Sequence, residues 1–156
     1  MTIPIFLLIT TIILGSHADN FRFQVNLTCD YKDREVFSFS LQIKEEDIFV
    51  DDEISPIIHG RQRVGNVSMQ FDGYQDGDDS IMYEPYCVIY HDCTKDQTSV
   101  RLRLTFKPVH TWLAWYMYSF NVNLTDHHGA EDPYEAKVER YDWFTKKMHD
   151  KHRKPK

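Results

Sequence analysis

The chain has few cysteines, which cross-link small domains, and few glycines and prolines, which interrupt regular structure. Among its 156 residues it has six glycines, six prolines and three cysteines, namely Cys29, Cys87 and Cys93. Three cysteines allow one intrachain bridge with one thiol left over, and the sequence alone does not choose among the three pairings. No CxxC or HxxxH pair accompanies the cysteines, so their spacing does not indicate a zinc site.

Long apolar segments are scarce as well, and the one that approaches such a length lies at the N-terminus. Residues 1–18 contain an apolar core from Ile3 to Leu14 and end in Ser16-His17-Ala18, a small-x-small cleavage pattern. No basic residue precedes this core, but the core is shorter than the about 20 apolar residues that a membrane span needs. The sequence therefore predicts a signal peptide, cleavage near Ala18, and a secreted, extracellular, soluble chain without a transmembrane segment.

Positive charge is in deficit over most of the chain. There are 18 Lys and Arg against 24 Asp and Glu, a formal net charge of −6. The basic residues concentrate in a tail from Lys146 to Lys156, which holds six of them against the single Asp150. An acidic body argues against a nucleic-acid surface on the domain. The tail is expected to be a solvated terminus, with contact to an anionic lipid headgroup or a sulfated glycan as the alternative.

Alternation of apolar and polar residues predicts a series of short β-strands. The segments with this pattern are Phe21–Cys29, Val36–Ile43, Gly65–Phe71, Tyr86–His91, Val100–Phe106 and Tyr116–Leu124, with Ile48–Val50 as a small edge strand. No convincing long helix precedes residue 130, so the pattern favours an all-β, antiparallel β-sandwich over an α/β fold. A weak apolar stripe predicts one helix over Glu131–His152.

Three glycosylation sequons agree with export and with the strand pattern. They are Asn26-Leu27-Thr28, Asn66-Val67-Ser68 and Asn123-Leu124-Thr125. Each asparagine falls on the polar face of its predicted strand, whereas a slip of one residue would bury all three. We therefore expect Asn26, Asn66 and Asn123 to carry glycans.

The segment Tyr83–Cys93, YEPYCVIYHDC, is the most informative motif. It resembles the central signature of the transthyretin-like family of nematode extracellular proteins, in which a proline opens a strand that closes on Ile-Tyr-His-x-Cys. The matching positions are Pro85, Tyr90, His91 and Cys93. Three further segments resemble the flanking strands of that family, namely Phe21–Cys29, Arg101–Pro108 and Phe120–Leu124, so that the resemblance covers about residues 21 to 126.

The resemblance implies a fold and a broad role. The fold is a transthyretin-type (prealbumin-like, Ig-like) sandwich of seven or eight strands over residues 19–126, followed by a C-terminal extension over 127–156. The role is that of a non-enzymatic extracellular binding or bridging protein, without cofactor, that recognises a lipid surface such as phosphatidylserine or a cell-surface partner. Cys87 occupies an apolar position in the central strand and is expected to be a buried thiol. The resemblance, in which the first strand and the signature each end in a cysteine, implies a disulfide between Cys29 and Cys93.

Two other functions compete with this interpretation. One is a carrier that holds a small apolar ligand in a pocket or a dimer groove, although the oligomeric state is open. The other is a vestigial hydrolase, since a related branch of the superfamily acts on a purine-derived ring with His and Arg side chains. That branch ends in Tyr-Arg-Gly-Ser, which this chain lacks, so no catalytic residues are predicted.

Several polar and aromatic residues could be interpreted as a metal site or a binding surface, but the sequence favours a structural role for each of them. His127 and His128 with Glu131 and Asp132 could be drawn as a metal cluster, but adjacent histidines in a loop point in different directions. His91 is expected to hold a hydrogen bond at a strand end beside a disulfide. The aromatic residues after Pro108 predict core packing, with an exposed rim for a lipid or protein as the alternative; they are Trp112, Trp115, Tyr116 and Tyr118.

Overall fold

A computed structural model describes residues 19–75, 81–111 and 114–142. The predicted signal peptide, Trp112 and the basic tail lie outside the described residues. Every regular element within them is a β-strand. The strands are β1 (Asp19–Cys29), β2 (Val36–Glu45), β3 (Ile58–Arg63), β4 (Gly65–Gln75), β5 (Met82–Tyr83), β6 (Pro85–His91), β7 (Val100–Thr105), β8 (Val109–His110), β9 (Ala114–Asn123), β10 (Gly129–Glu131) and β11 (Lys137–Asp142). None of these residues forms a helix long and apolar enough to cross a membrane.

The strands form two packed sheets, which confirms the predicted all-β sandwich. One sheet has the order β11-β9-β1-β4 and the other β10-β7-β6-β2-β3, while β5 and β8 form a small third ladder. The expectation of antiparallel pairing holds for most of the strand pairs but not for all of them. β1 runs parallel to β9, and β10 runs parallel to β7. Alternation specifies which face of a strand is buried, but it does not specify the direction of the neighbouring strand.

The core lies between the two sheets and follows the two-residue period. In β1, Phe21, Phe23 and Leu27 are fully buried, whereas Gln24 and Asn26 are exposed. Each buried side chain of this size contributes about 1.5–3 kcal/mol relative to an exposed one. The other strands contribute further buried residues to the same cluster, among them Phe37, Leu41, Ile43, Ile89, Leu102, Leu104, Tyr118, Phe120 and Val122.

The C-terminal extension is part of the sandwich as far as residue 142, and the helix predicted over Glu131–His152 is wrong there. β10 pairs with β7 at an edge of the five-stranded sheet, and β11 pairs with β9 at an edge of the four-stranded sheet. Val138 packs against the core, and the backbone N–H of Tyr134 donates to the carbonyl of Thr105 at 2.7 Å. Pairing with an open edge outweighs the weak helical pattern, because strand formation depends on tertiary neighbours.

The predicted disulfide is confirmed. Cys29 at the end of β1 is bonded to Cys93, which follows β6, with the two Cα atoms 5.9 Å apart. The bond therefore joins a strand of one sheet to the end of a strand of the other. Cys87 is a buried free thiol, as expected, and burial raises its pKa, which leaves it protonated and unreactive.

Candidate functional site

The signature strand β6 lies inside the five-stranded sheet, and most of its signature residues serve the core. Pro85 and His91 are buried, and Cys93 is held in the disulfide. Tyr90 alone reaches the surface, where 48% of it is exposed. The signature therefore accounts for the stability of the fold and contributes one side chain to an outer surface.

His91 has the predicted structural role at a strand end beside the disulfide. It is 1% exposed, and its Nε2 lies 2.7 Å from the carbonyl oxygen of His127. A proton on Nε2 satisfies that carbonyl and leaves Nδ1 as an acceptor, which is buried without a hydrogen-bond partner among the described residues. Burial lowers the pKa of His91, since the charged imidazolium would lose its hydration. The neutral ring is thus the form that the fold holds.

The outer surface of the five-stranded sheet gathers positive charge from two strands, β3 and β7, on either side of β2 and β6. Tyr90 on β6 lies between Ser40 on β2 and Arg101 on β7, and His59 on β3 lies beyond Ser40 in the same cross-strand row. Arg61 and Arg63 follow on the outward positions of β3, opposite Ser38 and Val36. We call the surface formed by these five residues the cationic face: His59, Arg61, Arg63, Tyr90 and Arg101.

The arginines of the cationic face have no acidic partner. Within the described residues, Arg61, Arg63 and Arg101 form no ion pair and no side-chain hydrogen bond, and all three are exposed. Arg103, the next outward position on β7, is different because it pairs with Glu46. From His59 to Arg101 the row crosses three strand spacings, about 14 Å. The face can therefore meet several anionic groups at once.

Arg103 marks the end of the cationic face and the start of a different surface. Its guanidinium lies over the ring of Tyr86, 4.0 Å from the centroid. The hydroxyl of Tyr86 donates to Asp51 at 2.5 Å, and burial together with this bond raises the pKa of Tyr86. These contacts hold the base of the loop that follows β2.

That loop exposes three apolar side chains, Ile48, Phe49 and Val50, which are 93%, 95% and 76% exposed. We call these three residues the apolar loop. The edge strand predicted there is wrong, because residues 48–50 are bends that pair with neither sheet. At its base the backbone N–H of Asp47 donates to Asp51 Oδ1 at 3.1 Å. The chain from Ser38 to Glu45 places the loop about 24 Å from Arg61, whereas Arg101 lies only two residues, about 7 Å, along β7 from Arg103, the partner of Glu46.

The outer surface of the four-stranded sheet is neutral and rich in amides. Asn26 Nδ2 donates to Asn121 Oδ1 at 2.7 Å, and Thr28 Oγ1 donates to Asn66 Oδ1 at 2.8 Å. The predicted polar faces are correct, since Asn26, Asn66 and Asn123 are all exposed. We call this surface the amide face and define it by Gln24, Asn26, Thr28, Asn66, Ser68, Gln70, Asn121 and Asn123.

Aromatic residues of β9 divide between core and surface. Tyr116 and Tyr118 are buried, as core packing predicts, and the hydroxyl of Tyr116 donates to the carbonyl of His110 at 2.5 Å. Trp115 is partly buried, with the guanidinium of Arg22 5.7 Å from its ring centroid. The tryptophan belongs to the outer surface of the four-stranded sheet, on the side opposite to the cationic face.

Two surface depressions lie among the described residues. One of about 200 Å³ is lined by Lys107, Tyr134, Glu135, Ala136 and Val138. The other, of about 320 Å³, lies beside the disulfide and is lined by Cys29, Asp30, Tyr31, Lys32, Val64 and Gly65. Pockets for small ligands are usually about 300–1,000 Å³ and mostly apolar, so the first depression is too small for a carrier, and the second lies at the lower limit with the charged Asp30 and Lys32 in its lining.

The loop histidines and acids are engaged with one another. His127 Nε2 lies 2.7 Å from Glu131 Oε1, and Asp126 accepts hydrogen bonds from the backbone N–H of Lys95 and from the hydroxyl of Tyr31. These bonds hold the pKa of Asp126 below its usual range. Over residues 19–75, 81–111 and 114–142, no three His, Cys, Asp or Glu side chains are placed together to hold a metal ion.

Sequence reasoning missed strand β3, which supplies most of the cationic face. Its outward positions are His59, Arg61 and Arg63, but its inward positions include Gly60 and Gln62 rather than large apolar residues. Gly60 is required because a Cβ there would lie 2.3 Å from the ring of Phe39. The aromatic ring of the neighbouring strand fills the core position that β3 leaves empty, so β3 shows no apolar alternation.

Compared with models of known protein families and with curated proteins, the chain gives no match.

Proposed function

We propose that the protein is a secreted, transthyretin-like binding or bridging module that contacts anionic lipid surfaces through its cationic face. The observation that carries the proposal is the set of arginines Arg61, Arg63 and Arg101, which share one outer surface with the exposed Tyr90 and have no acidic partner in the described residues. Guanidinium groups suit phosphate and carboxylate because they donate in a planar fork. A tyrosine at the level of the headgroups adds an amphipathic contact.

The expected affinity of this face is modest. Each Lys or Arg near an anionic membrane contributes about 1 kcal/mol, so three arginines supply about 3 kcal/mol before the orientation of the protein is restricted. An isolated module would then bind reversibly. Bridging needs a second contact, and the apolar loop is the feature that best supplies one, because exposed contiguous apolar residues mark interaction sites.

Acidic residues elsewhere do not cancel the cationic face at physiological salt. The loop after β2 carries Glu46, Asp47, Asp51 and Asp52, and it lies about 24 Å from Arg61 along β2. Its Glu46 comes nearer to Arg101 but is already paired with Arg103. At 0.15 M ionic strength charges are screened over about 8 Å. A membrane seated on the face therefore responds to the arginines rather than to the net charge of the whole chain.

Vesicle sedimentation with the full secreted chain tests the proposal. The protein is mixed with vesicles of phosphatidylcholine alone or of phosphatidylcholine with phosphatidylserine, and the bound fraction is measured at two salt concentrations. We expect binding to the phosphatidylserine vesicles only. The variant R61S/R101S should reduce the partition coefficient about 30-fold, since two contacts of about 1 kcal/mol each are lost.

A matched variant on the opposite surface controls for net charge. Arg22 and Lys137 lie on the outer surface of the four-stranded sheet, each paired with an acid, so R22S/K137S removes the same charge without touching the cationic face. It should bind vesicles as the natural chain does. Equal losses in both variants, or equal binding to neutral vesicles, would show that the face does not recognise anionic lipid.

A further inference from the structure

The three sequons converge on one patch although they lie far apart in the chain. Asn66 on β4 and Asn123 on β9 flank Thr28 on β1 in a single cross-strand row, and Asn26 lies in the next row of the same strand. Two strand spacings separate Asn66 from Asn123, about 10 Å, and Asn26 is about 7–8 Å from each on the diagonal. All three asparagines are exposed at this end of the amide face.

One of these asparagines lies on an edge strand that has few of the usual protections. β4 is eleven residues long and forms an edge of its sheet. Natural edges carry lysine, proline or other charges that prevent pairing with another chain. Over its described residues β4 has a single charged side chain, Asp72, which is paired with Arg22. The edges β3 and β11 each carry several charged residues.

The backbone of β4 is open along most of this edge. The N–H of Tyr74 donates outward to the carbonyl of Ile54 at 3.0 Å, which covers the edge near its end. In an antiparallel ladder the outward backbone groups alternate, so Asp72, Ser68 and Asn66 share the outward direction of Tyr74. Among the described residues none of these three has a backbone partner on the outward side. Asn66 therefore combines an open backbone edge with an exposed glycosylation site.

We infer that glycans at Asn26, Asn66 and Asn123 form one cluster on the amide face, and that the glycan at Asn66 protects edge strand β4 from pairing with another copy of the chain. The acceptor chemistry is N-glycosylation of the asparagine amide, which adds a bulky, solubilising group. The inference rests on the secreted route of the proposed function. It also places the sugars on the side of the sandwich opposite to the cationic face, where they do not obstruct a membrane.

The first experiment measures glycan occupancy in the protein secreted from animal cells. Removal of N-glycans with peptide-N-glycosidase should lower the mass and convert Asn26, Asn66 and Asn123 to aspartate. The variants T28V, S68A and T125V should each lose one glycan, while T28S, S68T and T125S keep the sequons and should keep the mass. A secreted chain without a glycan on Asn66 overturns the inference and leaves secretion itself intact.

The second experiment tests the protection of the edge by comparing self-association of the same secreted variants in sedimentation velocity. S68A should associate at concentrations where S68T and the natural chain stay monomeric, while T28V and T125V should associate less than S68A. S68K removes the same glycan but puts a lysine on the edge, and we expect it to stay monomeric. A monomeric S68A, or an S68K that associates as S68A does, overturns the protective role.

Discussion

The disulfide provides the largest single perturbation that the structure allows. Cys29 and Cys93 are separated by 64 residues, so their bond closes a long loop in the unfolded chain. The chain-entropy relation gives about 4 kcal/mol of stability for a loop of this length. Domains of this size have a free energy of unfolding of about 5–15 kcal/mol. The double variant C29A/C93A should therefore lose a large part of that free energy and remain folded only at low temperature and low denaturant concentration.

Urea unfolding followed by tryptophan fluorescence measures this loss. With a slope of about 2 kcal/mol/M, removal of the bond should lower the midpoint by about 2 M. The slope should also rise, since the unfolded chain is no longer held together at the bridge. Cys87→Ala is the control, because it deletes a buried thiol that takes no part in the bond and should cost about 1 kcal/mol. A double variant that unfolds no earlier than this control refutes the entropic argument.

Three other predictions concern the core. Tyr118→Phe removes a buried hydroxyl that has no partner in the described structure, so the free energy of unfolding should stay unchanged or rise by up to about 1 kcal/mol. Tyr116→Phe loses a hydrogen bond and should lower it by about 1 kcal/mol. The urea midpoint measures both changes. Burial holds the pKa of His91 below 6.5 in the folded state, so stability should be complete at pH values above 6.5 and fall as the pH drops below it, and His91→Gln should flatten that slope. Gly73→Ala places a Cβ 2.4 Å from the carbonyl oxygen of Ile54. It should reduce the free energy of unfolding by about 1–3 kcal/mol and so lower the thermal midpoint; an unshifted midpoint would contradict the close packing.

The sequence predicted those strands whose two faces differ sharply in polarity. β1, β2, β7 and β9 alternate large apolar and polar residues, and each has its apolar side in the core. In these strands a shift of one residue would expose the apolar side, so the local pattern is tied to the global fold. The position of Cys87 in a run of apolar residues likewise predicted a thiol buried away from the bridge.

The parts that the sequence did not predict depend on neighbours distant in the chain. β3 lacks an apolar face because Phe39 fills the space above Gly60, and β11 became a strand because β9 offered it an open edge. The cationic face could not be predicted either. Its charges come from β3 and β7, which are brought into one surface only by the register of β2 and β6 between them.

The separation of charge within the molecule has a consequence for the proposed binding to anionic vesicles. The chain carries a net charge of −6, while the cationic face holds three arginines that have no ion pair in the described residues, and Arg61 lies about 24 Å from the acidic loop after β2. At 0.01 M salt the screening length is about 30 Å, so the vesicle repels the whole molecule. At 0.15 M it is about 8 Å, so the arginines in contact dominate. Binding should therefore rise from very low to physiological salt and fall at higher salt. A steady decline from the lowest salt would show that the acidic side does not oppose binding, as it would if a larger basic surface made the contact.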